Sequence, residues 1–192
     1  VQLYVTHRSP FARKARIVLL EKRLPHEVVA IDLAARPPAW FAEHPIGKIP
    51  VLVLDGVRVP DSTVICETLE DRFPDPPMYE ADRLRSRILD ELADTAAEHA
   101  VAAFFARQRG DADAVSRASD AIDRVLGHLA ARQASGDWPP GFTVADAALI
   151  AALGYLGLRH GPGWRDRHPA LAAWFDGHAA RPSVAATVPI LS

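Results

Sequence analysis

His7-Arg8-Ser9-Pro10-Phe11-Ala12-Arg13-Lys14-Ala15-Arg16-Ile17-Val18-Leu19-Leu20 decides the fold, because it passes from the end of a strand through a turn into a helix. Ahead of it, Gln2-Leu3-Tyr4-Val5-Thr6 alternates as a short strand does, while Phe11, Ala15, Val18 and Lys22 recur at helical spacing on one face. Ser9 is a favoured N-cap, and Pro10 suits the first helical position, where its missing N–H costs nothing. Such a helix end gathers unpaired amide donors and roughly half a positive charge, which favours an anion. A hydroxyl there can accept from the helix amides and still donate outward. Two uses of Ser9 are therefore open at this point, a cap alone or a cap that also holds an anion. The run Arg13-Lys14-Ala15-Arg16 reads as a solvated helix face, with added positive potential from His7 and Arg13 as its other use.

Working outward, Leu24-Pro25 breaks the helix and His26 to Asp32 reads as a second strand, parallel to the first through a right-handed crossover. A polar, Pro-rich stretch over 32–38 leads to a helical turn at Ala39 to Glu43. Val51 to Leu54 and Val57 to Val59 form a hairpin around Asp55-Gly56, whose residues suit a type I′ turn. From Thr63 to Phe73 the spacing predicts a helix that buries Ile65, Leu69 and Phe73. The order is βαβαββα, a small α/β domain over 1–75. Pro74-Asp75-Pro76-Pro77 then stops regular structure and reads as a linker. Beyond it, over 78–192, no strand is predicted; Ala-rich helices at 81–109, 112–134, 144–159 and 170–180 imply an all-α helical bundle.

A chain of 192 residues, 49% hydrophobic and 24% charged, has room for one large domain or two compact ones with full cores. The net charge of −2 gives no electrostatic footprint for nucleic acid or an anionic membrane, so neither is an expected partner. The single cysteine, Cys66, excludes an intramolecular disulfide and dithiol redox chemistry, and its apolar helical neighbours make it a small buried hydrophobe. The most apolar segment, Ala145 to Leu158, is too short to span a bilayer and is interrupted by Asp146, Gly154 and Gly157. No leader-like start is visible, and the expected location is cytoplasmic. The eight histidines lack ligand spacing, so no metal is expected, and no Gly-rich phosphate motif occurs. Thr143-x-x-Asp146 fits a capping box, with Phe142 as its staple residue.

Four motifs in this order resemble the cytosolic glutathione transferase family. Ser9-Pro10-Phe11-Ala12 is similar to its serine- or cysteine-type helix start, and Gly47-Lys48-Ile49-Pro50-Val51-Leu52 to its Gly-Lys-Val-Pro-Val-Leu. Asp61-Ser62 resembles the acidic-Ser pair that opens its third helix, and Phe142-Thr143-Val144-Ala145-Asp146 the capping motif of a core helix. The resemblance covers nearly the whole chain. It implies a thioredoxin-like first domain, an all-helical second one, a homodimer, and glutathione as co-substrate for attack on a small hydrophobic electrophile. Non-catalytic binding or scaffold proteins and glutathione-dependent isomerases or peroxidases are the alternatives on the same fold.

Glutathione is γ-Glu-Cys-Gly, and the resemblance distributes its recognition over named residues. Ser9 holds the thiol as thiolate and is the catalytic residue, with Phe11 in the same helix start. Ile49, before a cis Pro50, pairs with the cysteinyl backbone; Asp61 and Ser62 take the γ-glutamyl ammonium and carboxylate; Lys48 takes the glycine carboxylate. Tyr4, Thr6 and His7 are rivals for the thiol. Phe104, Phe105 and Trp164 are the candidates for the electrophile's pocket.

Overall fold

In the computed structural model, which describes residues 1–35 and 37–190, the expected strand, turn and helix form β1 (Gln2–Val5) and α1 (Pro10–Glu21). Arg36, Leu191 and Ser192 lie outside the described residues, so the Pro-rich stretch over 32–38 and the end of the second domain at 192 are seen only in part. Then come β2 (Glu27–Ala30), α2 (Pro38–Glu43), β3 (Val51–Leu54), β4 (Val57–Pro60) and α3 (Ser62–Arg72), in the βαβαββα order expected. The sheet runs β2-β1-β3-β4; β1 and β2 are parallel, the other pairs antiparallel, with Leu3 opposite Val28 on one side and Leu52 on the other. The fold is thus a thioredoxin-like mixed sheet with helices, followed by a helical domain. At the β3–β4 turn, Asp55 and Gly56 both have positive φ (50° and 78°), as a type I′ turn requires.

The helical part comprises α4 (Leu84–Gln108), α5 (Ala112–Ala134), α6 (Val144–His160), α7 (Gly163–Arg167), α8 (Pro169–Gly177) and α9 (Pro182–Ala185). Three elements differ from expectation by more than one residue. Arg83 takes a left-handed conformation (φ 56°), so α4 starts three residues later than Ala81. The last long helix ends at Gly177 instead of 180, and β2 is shorter than 26–32. Two short helices, α7 and α9, were not expected, because four or five residues are too few to establish a period. The predicted capping box at the start of α6 is present. No described helix is long and apolar enough to cross a membrane.

One core cluster joins Leu3, Val5, Ile17, Val18, Leu52, Ile65 and Leu69 to Val144, Ala147 and Ile150 of α6 and Val184 of α9. A second lies among α4, α5 and α6 around Leu126, Leu129, Leu149 and Leu153. Buried Ala93, Ala96, Ala100 and Ala103 on α4 let its neighbours approach closely. Helix α1 is enclosed by the sheet, α3, α4, α6 and α9, and it buries residues over most of its circumference, leaving open the stripe of Arg16 and Leu20.

That enclosure corrects the reading of 13–16 as a solvated face: Arg13 is 2% exposed and Lys14 has no exposure. Each has found polar partners in the helical half of the chain. Arg13 donates to the carbonyls of Ile150 and Val184, and Lys14 pairs with Asp90 and Asp94 on α4.

Candidate active site

A cleft of about 160 Å³ opens where the start of α1, the loop before β3, the start of α3 and one face of α4 meet. Phe11, Lys48, Ile49, Pro50, Asp61 and Ser62, all anticipated from the sequence, line it together. Ser9 does not. It lies two residues before Phe11, is 9% exposed, and its Oγ accepts the amide of Ala12 at 3.2 Å as the N-cap of α1. Its hydroxyl proton remains for a second partner.

Each wall has a local cause. The loop before Lys48 turns at Gly47 (φ 64°), where a Cβ would stand 2.7 Å from the Phe41 ring, so only glycine fits. Ile49–Pro50 is a cis peptide, and the Ile49 amide and carbonyl take no part in backbone–backbone hydrogen bonding among the described residues. Asp61 adopts φ 71°, a conformation that non-glycine residues rarely hold, while its carboxylate accepts the amides of Thr63 (2.8 Å) and Val64 (3.3 Å). Asp61 is exposed beside a buried Ser62 at the first turn of α3.

Ile46, Pro60 and, on α4, Asp94 and Glu98 complete the lining, and none of the four was anticipated. The available signal was the spacing of Asp90, Asp94 and Glu98, which places three carboxylates on one helix face. Lys14 Nζ lies 2.8 Å from Asp90 and 2.5 Å from Asp94, and donates to Thr63 Oγ1 at 3.2 Å. Burial alone would lower the Lys14 pKa, but the two carboxylates hold it above the ordinary lysine range. Burial, and then neighbouring Asp94, push the Asp90 carboxyl up to about 6 against the opposing pull of Lys14. With Asp61, Asp94 and Glu98 against Lys48, the cleft presents more carboxylates than cations, a lining suited to a ligand that carries an ammonium group.

The rival residues stand elsewhere. Tyr4 packs against Trp40 (5.2 Å between ring centroids) and His44 (6.0 Å), and neither it, Thr6 nor His7 lines the cleft. Phe104 and Phe105 do not line it either; Phe104 lies under the Arg159 guanidinium at 4.3 Å. Trp164 is 3% exposed and borders a different cavity. Cys66 is fully buried and burial pushes its thiol pKa up, consistent with a small apolar role. Among the described residues, no group of three His, Cys, Asp or Glu side chains could hold a metal ion.

Comparison with known proteins matches residues 3–77 to "Glutathione S-transferase, N-terminal domain" and residues 112–177 to "Glutathione S-transferase, C-terminal domain". A glutathione S-transferase from Methylobacterium radiotolerans, solved in complex with glutathione sulfonate, is 36% identical over 100% of this chain and 95% of its own, with a TM-score of 0.92. One from Methylobacillus flagellatus with glutathione bound is 34% identical over 98% of this chain and 99% of its own, with a TM-score of 0.90. Mouse glutathione S-transferase omega-2 is 34% identical over 48% of this chain, and the match spans only 39% of that protein.

Proposed function

Because the chain belongs to the glutathione S-transferase family, we propose that it binds glutathione in this cleft and activates the thiol for attack on a small hydrophobic electrophile. The observation that carries the reading is the convergence of Phe11, Lys48, Ile49, Pro50, Asp61 and Ser62 on one cleft beside the Ser9-capped end of α1. The unpartnered Ile49 amide and carbonyl pair with the cysteinyl backbone. The γ-glutamyl end lies at the start of α3, its carboxylate on Ser62 and its ammonium toward Asp61 and the α4 carboxylates. Lys48 faces the glycine carboxylate.

Ser9 acts by holding the thiolate, not by attacking. A free thiol has a pKa of about 8.5 and is only slightly ionised at neutral pH. A hydroxyl bond to the anion contributes about 1.5–3 kcal/mol, and the helix end up to about 2 more. At about 1.4 kcal/mol per pKa unit, these lower the thiol by about one to three units. Most of the bound thiol is then reactive at neutral pH.

The protein acts in the cytoplasm as a homodimer; the exposed apolar side chains of Val64 on α3 and Ile88 on α4 support pairing through that side. The test of the site is an ultraviolet difference titration of glutathione bound to the wild type and to Ser9→Ala. The expected result is a thiolate band that rises below the free-thiol range in the wild type and about one to two pH units higher in the variant, which loses the hydroxyl bond but keeps the helix end. Absence of glutathione binding overturns the reading; identical titrations in the two proteins remove Ser9 from the activating role.

A further inference from the structure

A second cavity, of about 310 Å³, shares no lining residue with the cleft and is bounded by α6, α7, α8 and the segment after α9. Leu153, Leu158, Phe175, Val184 and Val188 make most of its wall apolar. Two features of that wall are out of keeping with an apolar hole. The first is the Arg13 guanidinium. Its acceptors among the described residues are all neutral: the Ile150 carbonyl (3.2 Å), the Val184 carbonyl (3.4 Å) and Thr187 Oγ1 (3.5 Å). No carboxylate among the described residues pairs with it, and the charge that bears on it is that of Arg16. A guanidinium has five N–H groups, so donors remain after these three bonds. Burial lowers its pKa to about 10, which leaves it cationic at neutral pH. The other arginine on this wall, Arg165, has its charge met by a bidentate pair with Asp176 (2.9 Å to each oxygen).

The second feature is Trp164. Its indole Nε1 is buried and has no hydrogen-bond partner, an unfavourable state for a donor in a folded protein. Both donors face the same turn of α6. The space where Gly154 lacks a side chain is filled by Arg13 Nη1, 2.0 Å from the position of a Cβ. The corresponding position on Gly157, three residues on, has Trp164 Nε1 as its neighbour at 4.0 Å. An uncompensated cation and an unused neutral donor thus flank one helical turn at the edge of an apolar cavity.

We propose that this cavity binds a small amphipathic monocarboxylate, whose anionic head accepts hydrogen bonds from Arg13 and Trp164 over the Gly154–Gly157 turn and whose apolar body fills the remainder. A carboxylate has acceptor sites for both donors and supplies the counter-charge that Arg13 lacks. A neutral ligand of the same shape would leave that charge unmatched. The site is separate from the glutathione cleft, since the two share no lining residue.

The test uses sodium decanoate and 1-decanol as probes of equal chain length, titrated calorimetrically into the whole protein at neutral pH, with and without saturating glutathione. Expected are one decanoate site, at least tenfold weaker binding of decanol, and no displacement by glutathione. Gly157→Val places a branched side chain before the indole N–H; it should weaken decanoate at least tenfold and leave glutathione binding unchanged. Arg13→Gln removes the charge and should bring decanoate down to the level of decanol. Where Arg13→Gln fails to fold, the decanoate-to-decanol ratio and Gly157→Val still decide. The proposal is overturned by no decanoate binding at millimolar concentration, by equal affinity for decanol, by displacement with glutathione, or by unchanged binding in folded Gly157→Val.

Discussion

Lys14 illustrates how one side chain can serve both packing and site. It has no exposure, yet its ammonium is matched by Asp90 and Asp94, and through Asp94 it reaches the cleft wall. Removing one partner of a buried pair leaves uncompensated charge, at a cost of about 3–5 kcal/mol. Lys14→Met should therefore lower stability by about that amount at pH 7. Asp90 adds a pH signature. Its carboxyl is pushed up to about 6, so the native state keeps a proton that the unfolded chain releases from about pH 4 upward. This group's contribution is accordingly present in acid and lost as pH rises through about 6. Without Lys14 the Asp90 carboxyl is harder still to ionise, and the deficit of Lys14→Met should shrink at pH 5. Urea unfolding at the two pH values measures it; equal deficits, or a deficit below about 1 kcal/mol, would sink the argument. By contrast, the exposed Arg72–Asp55 pair is of a kind that contributes little. Nothing within the run 13–16 signals its burial, because the partners of Lys14 are 76 and 80 residues away. Local charge density suggested solvent where tertiary enclosure prevails.

At the scale of elements, what could be read locally was what local chemistry decides. The cap of α1 by Ser9, the Asp55-Gly56 turn and the box at the start of α6 each depend on residues within a few positions of one another. The late start of α4 and the short α7 and α9 depend on a left-handed residue and on tertiary packing, which leave no periodic trace. At α6, the Asp146 carboxylate accepts the Thr143 amide (2.7 Å) and hydroxyl (2.8 Å) and also the Trp138 indole N–H (2.9 Å). Burial raises its pKa, opposed by these bonds. Asp146→Ala removes the cap and orphans the Trp138 donor, so a loss of about 2–4 kcal/mol is expected. Since Asp146 lies outside the cleft lining, the thiolate titration of bound glutathione should be unchanged. A shifted titration with an unchanged unfolding midpoint would contradict this structural assignment.

For the whole molecule, the decisive contacts cross between the α/β and helical halves. Val144, Ala147, Ile150 and Val184 are members of the sheet's own core cluster, and Arg181 pairs with Glu21 at the end of α1. The Pro-rich passage at 74–77 resembles a linker in sequence, yet it is tied down on both sides. Lys22 pairs with Glu70 at 2.7 Å and donates to the carbonyls of Phe73 and Pro76, and Glu70 accepts the Met78 amide. The Met78 carbonyl in turn accepts the amide of Val144 at the start of α6. A halved chain would therefore expose the α6 face that α1 covers, together with a buried arginine and lysine on α1. The cost of separating the halves should exceed what either could keep alone, which predicts one cooperative transition. The four tryptophans allow a direct check, because Trp138, Trp164 and Trp174 report on the helical half while only Trp40 lies with the sheet. Urea curves followed by tryptophan emission and by far-ultraviolet circular dichroism should coincide, and the Lys14→Met variant should shift both together. A second step in either curve would show the two halves melting separately, and the buried contacts of α1 would then be too weak to bind them into one folding unit.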